Sequence, residues 1–414
     1  MRRTISLAGP LTVLALGQAM PAFAQGGDGE WKFDTAVTLV GAAVDAEDED
    51  APSAPTADSL MASALMSVSR SDTFDNGLTL SWYGAARYDR DAPSRPAFSG
   101  VLGNCPAADP QCPRIARGAG FMSPVSPATG LSVAGAPLRE DGFVAVEAAS
   151  VSLDGPWGQG VIGLDSGAAA RLDARAPTVM ERVSAFSPGL DPTGLGVTRA
   201  RNDVTGSSFK ATYMSPRWIG FRLGGSYTPK ADERTVDYDP GFAGPGRAGA
   251  RLEDVWEGAV SFARQFAEQD LRVRTAVTYT TAKAGTNLSG FGDYEAWGAG
   301  LELEHAGFTA GVRWLSSNNA WEAGHGDYEA WEAGLVHNSE DWRFGVEAGW
   351  AEDSLTGIEG ASWLVGATRK FNENLDLGVA WVDGQADLPA LSGPTYRHIN
   401  ASNEGLIAEL TVRN

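Results

Sequence analysis

The chain has 414 residues, with 52 acidic against 32 basic side chains, a net charge of −20 and 51 glycines. So acidic a surface disfavours nucleic acid as a partner. Hydrophobic residues make up 43% of the chain, yet no 18-residue apolar run follows the N-terminal segment, so a bundle of membrane-spanning helices is excluded.

The chain opens with Arg2 and Arg3, an apolar stretch around Leu11–Leu16 and Ala22-Phe23-Ala24. A basic start, a short hydrophobic segment and an A-x-A site read as a secretory signal over residues 1–24. Gln25, not a cysteine, stands immediately after the cut, which argues against a lipid-anchored N-terminus. The remainder, 25–414, reads as one domain of about sixteen period-two strands. They fall near 31–44, 59–70, 77–88, 142–153, 157–165, 206–215, 217–228, 253–265, 270–281, 293–305, 307–316, 327–338, 341–351, 360–370, 374–383 and 404–413. Their connections alternate. Long loops at 45–58, 89–141 and 166–205 are separated by short turns such as 71–76, 154–156 and Pro216. That asymmetry marks an up-and-down barrel with both termini on the turn side.

Inside the first long loop, Asp45-Ala-Glu-Asp-Glu-Asp50 has two readings: a solvated loop, which is favoured, or a run that bridges calcium to anionic lipopolysaccharide. No other cofactor is expected. In the second loop, Cys105 and Cys112 read as a local disulfide formed in an oxidising compartment. No histidine lies near them, and the spacing does not suit zinc.

Residues 292–351 contain one hairpin twice, each copy opening with Gly-Asp-Tyr-Glu-Ala-Trp at 292–297 and 326–331. Alternate residues are apolar: Trp297, Ala299, Leu301, Leu303, then Phe308, Ala310, Val312, Trp314 in the first copy. The opposite phase holds Gly298, Gly300, Glu302, Glu304, Gly311 and Arg313. Successive strand side chains point to opposite faces, so each hairpin has one apolar and one polar face. Aromatics stand at both ends of the apolar face and small aliphatics between them. From Trp342 to Trp350 the strand spans roughly 20 Å at a tilt of about 40°, near the ~25 Å apolar band of an outer-membrane barrel. A soluble sandwich has no reason to confine aromatics to two ends. The expected fold is therefore all-β, a 16-stranded antiparallel transmembrane β-barrel.

Phase directs Arg87, Lys210, Arg222, Arg272, Arg274, Arg313 and Arg343 to the interior, together with Glu257, Glu302, Glu304, Glu332 and Glu347. So many inward charges imply a wet lumen. The loop at 166–205 carries mixed charge, and Pro177 with Val179, Met180 and Val183 predicts a short helix over 176–186.

Gly155-Pro-Trp-Gly-Gln-Gly-Val-Ile-Gly-Leu-Asp165 and Arg201-Asn-Asp-Val-Thr-Gly-Ser-Ser-Phe-Lys-Ala-Thr-Tyr-Met-Ser-Pro-Arg-Trp-Ile-Gly-Phe221 resemble the strands flanking the constriction loop of alphaproteobacterial general-diffusion porins. The two motifs cover about a sixth of the chain, and the strand count extends the likeness. The resemblance implies an outer-membrane homotrimer, embedded among outer-membrane lipid and lipopolysaccharide. By the same resemblance the β-barrel would have an inward-folded constriction loop, its third, which narrows a water-filled channel for passive diffusion of ions and small hydrophilic solutes. Carried onto this chain, the constriction would comprise Asp165, Arg171, Asp173, Arg175, Glu181 and Arg182 on the loop. The wall would contribute Arg87, Arg222, Arg272 and Arg274, with loop acids facing wall bases. One position departs from the family, which ends on an aromatic residue where this chain has Asn414.

A substrate-selective channel for sugars or carboxylates is the alternative, marked by a track of aromatics or arginines; phase gives arginines but no clear aromatic track. An enzyme is not expected, because His305, His325, His337 and His398 stand in no nucleophile motif.

Overall fold

The computed structural model describes residues 29–47, 60–90, 115–117, 120–131, 143–186, 189–231, 247–285, 290–322, 324–392 and 395–414. The secretory signal, Cys105 with Cys112, and most of the acidic run after Asp45 lie outside them. The strands are β1 (Lys32–Glu47), β2 (Leu60–Thr73), β3 (Thr79–Arg90), β4 (Ile115–Arg117), β5 (Gly120–Val125), β6 (Phe143–Gly155), β7 (Gly158–Leu164), β8 (Phe209–Met214), β9 (Phe221–Lys230) and β10 (Arg247–Gly249). They continue as β11 (Leu252–Phe266), β12 (Leu271–Ala284), β13 (Tyr294–His305), β14 (Phe308–Ser317), β15 (Tyr328–Asn338), β16 (Trp342–Asp353), β17 (Ile358–Asn372), β18 (Leu375–Ser392) and β19 (Thr395–Arg413). A short helix, α1 (Ala168–Leu172), follows β7.

Sixteen of these strands pair antiparallel with their neighbours in chain order, and β1 pairs with both β2 and β19, so the sheet closes. The remaining three, β4, β5 and β10, form a small separate sheet in which β5 and β10 run parallel. Closure leaves no unpaired edge, which is the condition for crossing a bilayer with strands. All sixteen expected segments are strands. The last hairpin is longer than its phase signal, because β18 and β19 stay paired from Leu375↔Val412 out to Ser392↔Thr395, through what reads in sequence as a loop.

Register confirms the two faces of the repeated hairpins. Trp331 stands opposite both Trp314 and Trp350, and Leu335 opposite Ala310 and Val346. These side chains face outward; Trp331, Leu335 and Val346 are exposed. The short turns are tight. At Ala306-Gly307 both residues have positive φ, 49° and 83°, the geometry of a two-residue hairpin whose twist matches its strands. Where Pro216 alone reads as a turn, the chain instead uses Ser215 to Gly220, with Ile219 and Gly220 both at positive φ.

The inner face departs from the uniformly wet lumen expected of it. Arg272, Arg274 and Glu304 are well exposed, whereas Arg313, Glu257, Glu332, Glu347 and Lys210 are buried. Above them, Tyr294, Ala296, Leu315, Tyr328, Ala330 and Ala351 are also buried, in one cluster with Leu195, Val197 and Leu131 from the loops. Chain lying against the inner wall, not water, covers these positions.

Val346 sits in the middle of the outward apolar band between Leu335 and Val365. Val346→Arg should cost about 2–4 kcal/mol of barrel stability, read by urea titration of folding into lipid vesicles. The lumen-facing Glu302→Gln should leave the midpoint nearly unchanged.

Candidate functional site

The segment joining β7 to β8, residues 165–208, makes an out-and-back circuit of the inner wall, and wall glycines decide its path. Leu172 of α1 packs on Gly224 of β9, where an added Cβ would lie 2.7 Å from its Cδ1. The outgoing limb then crosses β13, β14 and β15 with its backbone against glycine. A Cβ on Gly311 would lie 2.7 Å from the Arg175 carbonyl, and one on Gly300 or Gly334 would collide with the carbonyls of Ala174 or Pro177. Met180 reaches Gly378 of β18. The return limb lays Thr198 over Gly349, Val197 over Gly360 and Thr193 over Gly384. Glycine on the polar phase thus marks where two backbones approach closely.

Wall carboxylates fasten what the glycines admit. Glu347 accepts hydrogen bonds from Val179 N (2.6 Å), Ala185 N (3.0 Å) and Ser184 Oγ (2.6 Å). Glu409 accepts three more, from the backbone nitrogens of Glu181 (2.8 Å), Arg182 (2.9 Å) and Val183 (2.9 Å). On the return limb Glu332 accepts from Ala200 N at 2.8 Å and from Arg313 Nε at 2.9 Å, while Glu257 accepts from Thr205 Oγ1 at 3.0 Å. A segment without regular structure has backbone donors to satisfy, and a carboxylate in a dry wall needs donors, so each resolves the other's burial cost. Apolar contact adds to this: Val179, Met180, Val183, Phe186 and Leu190 pack with Val40, Met61, Leu364, Val382 and Ile407.

These bonds overturn the helix expected at 176–186. The helix is α1 instead, built from Ala168-Ala-Ala-Arg-Leu172, whose residues favour helix intrinsically. Past Pro177 the backbone donors point to Glu347 and Glu409 instead of to preceding carbonyls.

The ten expected site residues are placed as follows. Asp165 pairs with Arg171 on its own loop and accepts from Ser150 Oγ at 2.9 Å. Asp173 is bound to wall Arg313 at 2.7 Å, each side chain only 6% exposed. Burial pushes its carboxyl up from the ordinary range, with Arg313 pulling against that. Arg175 is exposed, and the guanidinium of Arg201, ahead of burial and Arg313, holds it below its ordinary value. Glu181 pairs with Arg413 of β19, and Arg182 with Asp89 of β3 at 2.9 Å. On the wall, Arg87 binds Glu147 at 2.5 Å, Arg274 binds Glu302 at 3.1 Å and Arg272 reaches Glu304 at 3.4 Å, while Arg222 donates to the Ser215 carbonyl at 2.9 Å. Two loop acids therefore meet wall bases, but the bases are Arg313 and Arg413. The four named wall arginines bind wall groups. Sequence reasoning also passed over Glu409, Asp89 and Arg413, although their inward phase was there to be read, and Glu147, which a register shift in β6 takes out of simple alternation.

The described contacts of the loop run along β9 and β11 to β19, continue to Val40 of β1 and Met61 of β2, and reach β3 at Asp89 and β6 at Ser150. The rest of the inner wall, on β2, β3 and β6, is rich in hydroxyls: Ser67, Ser69, Ser71, Ser81, Ser150 and Ser152, with Tyr83 among them. Ser71 and Ser81 hydrogen-bond across the strands at 2.9 Å. Of these hydroxyls, Ser150 reaches the loop, at Asp165.

The family model of Gram-negative porins matches residues 11–385. Among solved structures, an anion-selective porin from Comamonas acidovorans has 9% identity and a TM-score of 0.53, over 94% of this chain and 100% of that one. Salmonella typhi OmpF in complex with daunomycin has 12% identity and a TM-score of 0.52, over 92% and 97%. The trimer form of in-vitro folded OmpT from Vibrio cholerae has 13% identity and a TM-score of 0.51, over 94% and 100%. At such identities the likeness shows the fold. No curated protein sequence matches.

Glu409→Gln keeps the size of the side chain but removes the charge that three amides share. Hydrogen bonds to charged groups contribute about 1.5–3 kcal/mol each, so amide exchange at residues 181–183 should quicken by roughly tenfold or more. Hydrogen-exchange mass spectrometry should show this while β13–β16 stay protected.

Proposed function

This chain belongs to the Gram-negative porin family, and from that premise we infer how its barrel works as an outer-membrane diffusion channel for ions and small hydrophilic solutes. One observation carries the finer reading: the described contacts of residues 165–208 gather on the inner wall from β9 round to β2, while β3 and β6 present mainly serine hydroxyls. The solute path runs between the two, and the loop sets its width. Nothing is bonded or cleaved there. Selection comes from size and from charges at the constriction.

Within that path Arg175 is the residue best placed to set ion preference. It is exposed, Arg201 lies nearby, and its backbone is held against Gly311. Arg171 with Asp165 flanks it as a neutral pair, and Glu181 shares Arg413 with Asp376, which leaves a net negative charge. The long loops face the cell exterior and the short turns the periplasm, as export through the periplasm requires of a chain with both termini on the turn side.

The assembly is a homotrimer, and the aromatic belt supports this. Nine neighbouring strands each carry one loop-side aromatic on the outer face: Tyr227, Trp256, Tyr279, Trp297, Trp314, Trp331, Trp350, Trp363 and Trp381. The row stops at β19 and β1, where Leu406 and Ala43 continue the register. Gly41, Ala62, Ala64 and Ala408 lie below them, so this face lacks loop-side aromatic anchors, as a face covered by protein would, while Phe33 stays exposed at its turn side. The alphaproteobacterial branch is supported by the segments 155–165 and 201–221. Lipopolysaccharide and outer-membrane lipid contact the belt.

In planar bilayers the purified protein should give stepwise ohmic conductance. Arg175→Glu should move the reversal potential in a salt gradient toward cation preference without closing the channel; an unchanged potential would remove Arg175 from the path. Ala64→Trp should yield monomers on semi-native electrophoresis while the barrel stays folded.

A further inference from the structure

The connection between β3 and β6 contains a folded piece that stands far from its roots. Within it β5 runs parallel to β10, just ahead of β11, from Ser123↔Arg247 to Val125↔Gly249. Directly after β5 the chain closes on itself. Ser126 N donates to the Leu131 carbonyl at 2.9 Å, and Gly130 N to the Ser126 carbonyl at 2.8 Å. This turn is tied to Asn319, in the connection between β14 and β15. Asn319 Oδ1 accepts from Ser126 Oγ at 2.9 Å and from Ala128 N at 3.2 Å. Its Nδ2 donates to the Gly326 carbonyl at 2.9 Å and to Oδ1 of Asp353, the last residue of β16, at 3.0 Å. A single fully buried side chain thus joins three loop-side regions. Asn319 holds a left-handed φ of 51°, which asparagine tolerates better than most residues.

Topology gives this tie its meaning. Around the closed sheet, eight strands separate the β3–β6 connection from the β14–β15 connection in either direction, β6 to β14 one way and β15 to β3 the other. The two lie on opposite sides of the mouth. The turn does not meet Asn319 outside the rim, because Ala128 and Leu131 are buried in one cluster with Tyr294, Leu315 and Tyr328 of the inner wall. We propose that residues 120–131 form a bar across the loop-side mouth, a second constriction that sets the size limit for solutes before they meet residues 165–208. Sixteen strands leave a wide lumen, and a folded turn docked inside its mouth takes away cross-section. The bar carries no charge, since Gly120-Phe-Met-Ser-Pro-Val-Ser-Pro-Ala-Thr-Gly-Leu131 contains no titratable side chain. It therefore sorts by bulk and leaves charge selection to the inner loop. Asn319 is its positioning residue.

The inference rests on the porin reading, since a bar across the mouth matters only if solutes pass. Asn319→Gly tests it, because glycine keeps the left-handed backbone and removes only the side chain. Amide exchange over residues 126–131 should quicken by about tenfold or more. In liposome swelling, entry of the trisaccharide raffinose relative to the pentose arabinose should rise severalfold, while the reversal potential in a salt gradient stays at the wild-type value. Ser126→Ala removes one bond and leaves Asn319 its other partners. It should act in the same direction to a smaller degree, and it decides the matter if the glycine variant fails to fold. Unchanged exchange would overturn the proposal, and so would quickened exchange with an unchanged sugar ratio. A shifted reversal potential would also overturn it, by placing the effect at residues 165–208. Wild-type vesicles that swell in arabinose uphold the porin reading whatever the variants do, whereas a folded, inserted wild type that admits neither sugar sinks that reading.

Discussion

The interaction on which everything else depends is the pairing of β1 with β19. Hydrocarbon offers no partner for a backbone N–H or C=O, so a sheet can cross a bilayer only if its last strand finds its first. Here twelve register positions from Ala36↔Arg413 to Glu47↔Ser402 close the sheet. Once closed, the cylinder has an outer face that meets lipid along every strand and an inner face shielded from it. The outward aromatics and the inward charges both follow from that division.

Closure also creates a problem that the loop solves. A sixteen-stranded barrel is too wide for its own side chains to fill, and an open cylinder would discriminate poorly among solutes. The segment 165–208 occupies part of the interior, but an irregular chain against a wall must have its backbone donors and acceptors met. Glycines let it approach, and Glu347, Glu409 and Glu332 accept its amides. The inward acids thus divide by task. Some are structural and buried beneath the loop, while others, such as Glu302 and Glu304, pair with arginines on the open wall. Both kinds share a phase, so alternation could not separate them.

How much was legible follows from the range of each interaction. Outward residues such as Trp297, Leu301 and Val312 were readable one at a time, because each answers only to the lipid beside it. The repeated Tyr294 and Tyr328 were recognisable as a repeat, but not as buried: Tyr328 turns inward, accepting from Arg199 N at 2.8 Å and donating to the Arg199 carbonyl at 3.1 Å. The helix misplaced at 176–186 shows the same limit. Local propensity supported it, and two carboxylates far along the chain outweighed that propensity by taking its amide protons. The expected opposition of loop acids to Arg87, Arg222, Arg272 and Arg274 gave way likewise, since neighbouring strands supplied nearer partners such as Glu147 and Glu302.

The amino-acid sequence by itself determined where the sixteen wall strands lie, which way most of their residues face and the side on which the turns lie. Period-two alternation, turn chemistry and aromatic placement are local, and each is written within a few consecutive residues. Tertiary structure alone decided which charges meet. Arg182 and Asp89 are 93 positions apart, and Glu181 and Arg413 are 232 apart. They become neighbours only when the cylinder has closed and the loop has entered it, because the direction of a charged side chain is set by strand phase but its partner by the path of another part of the chain.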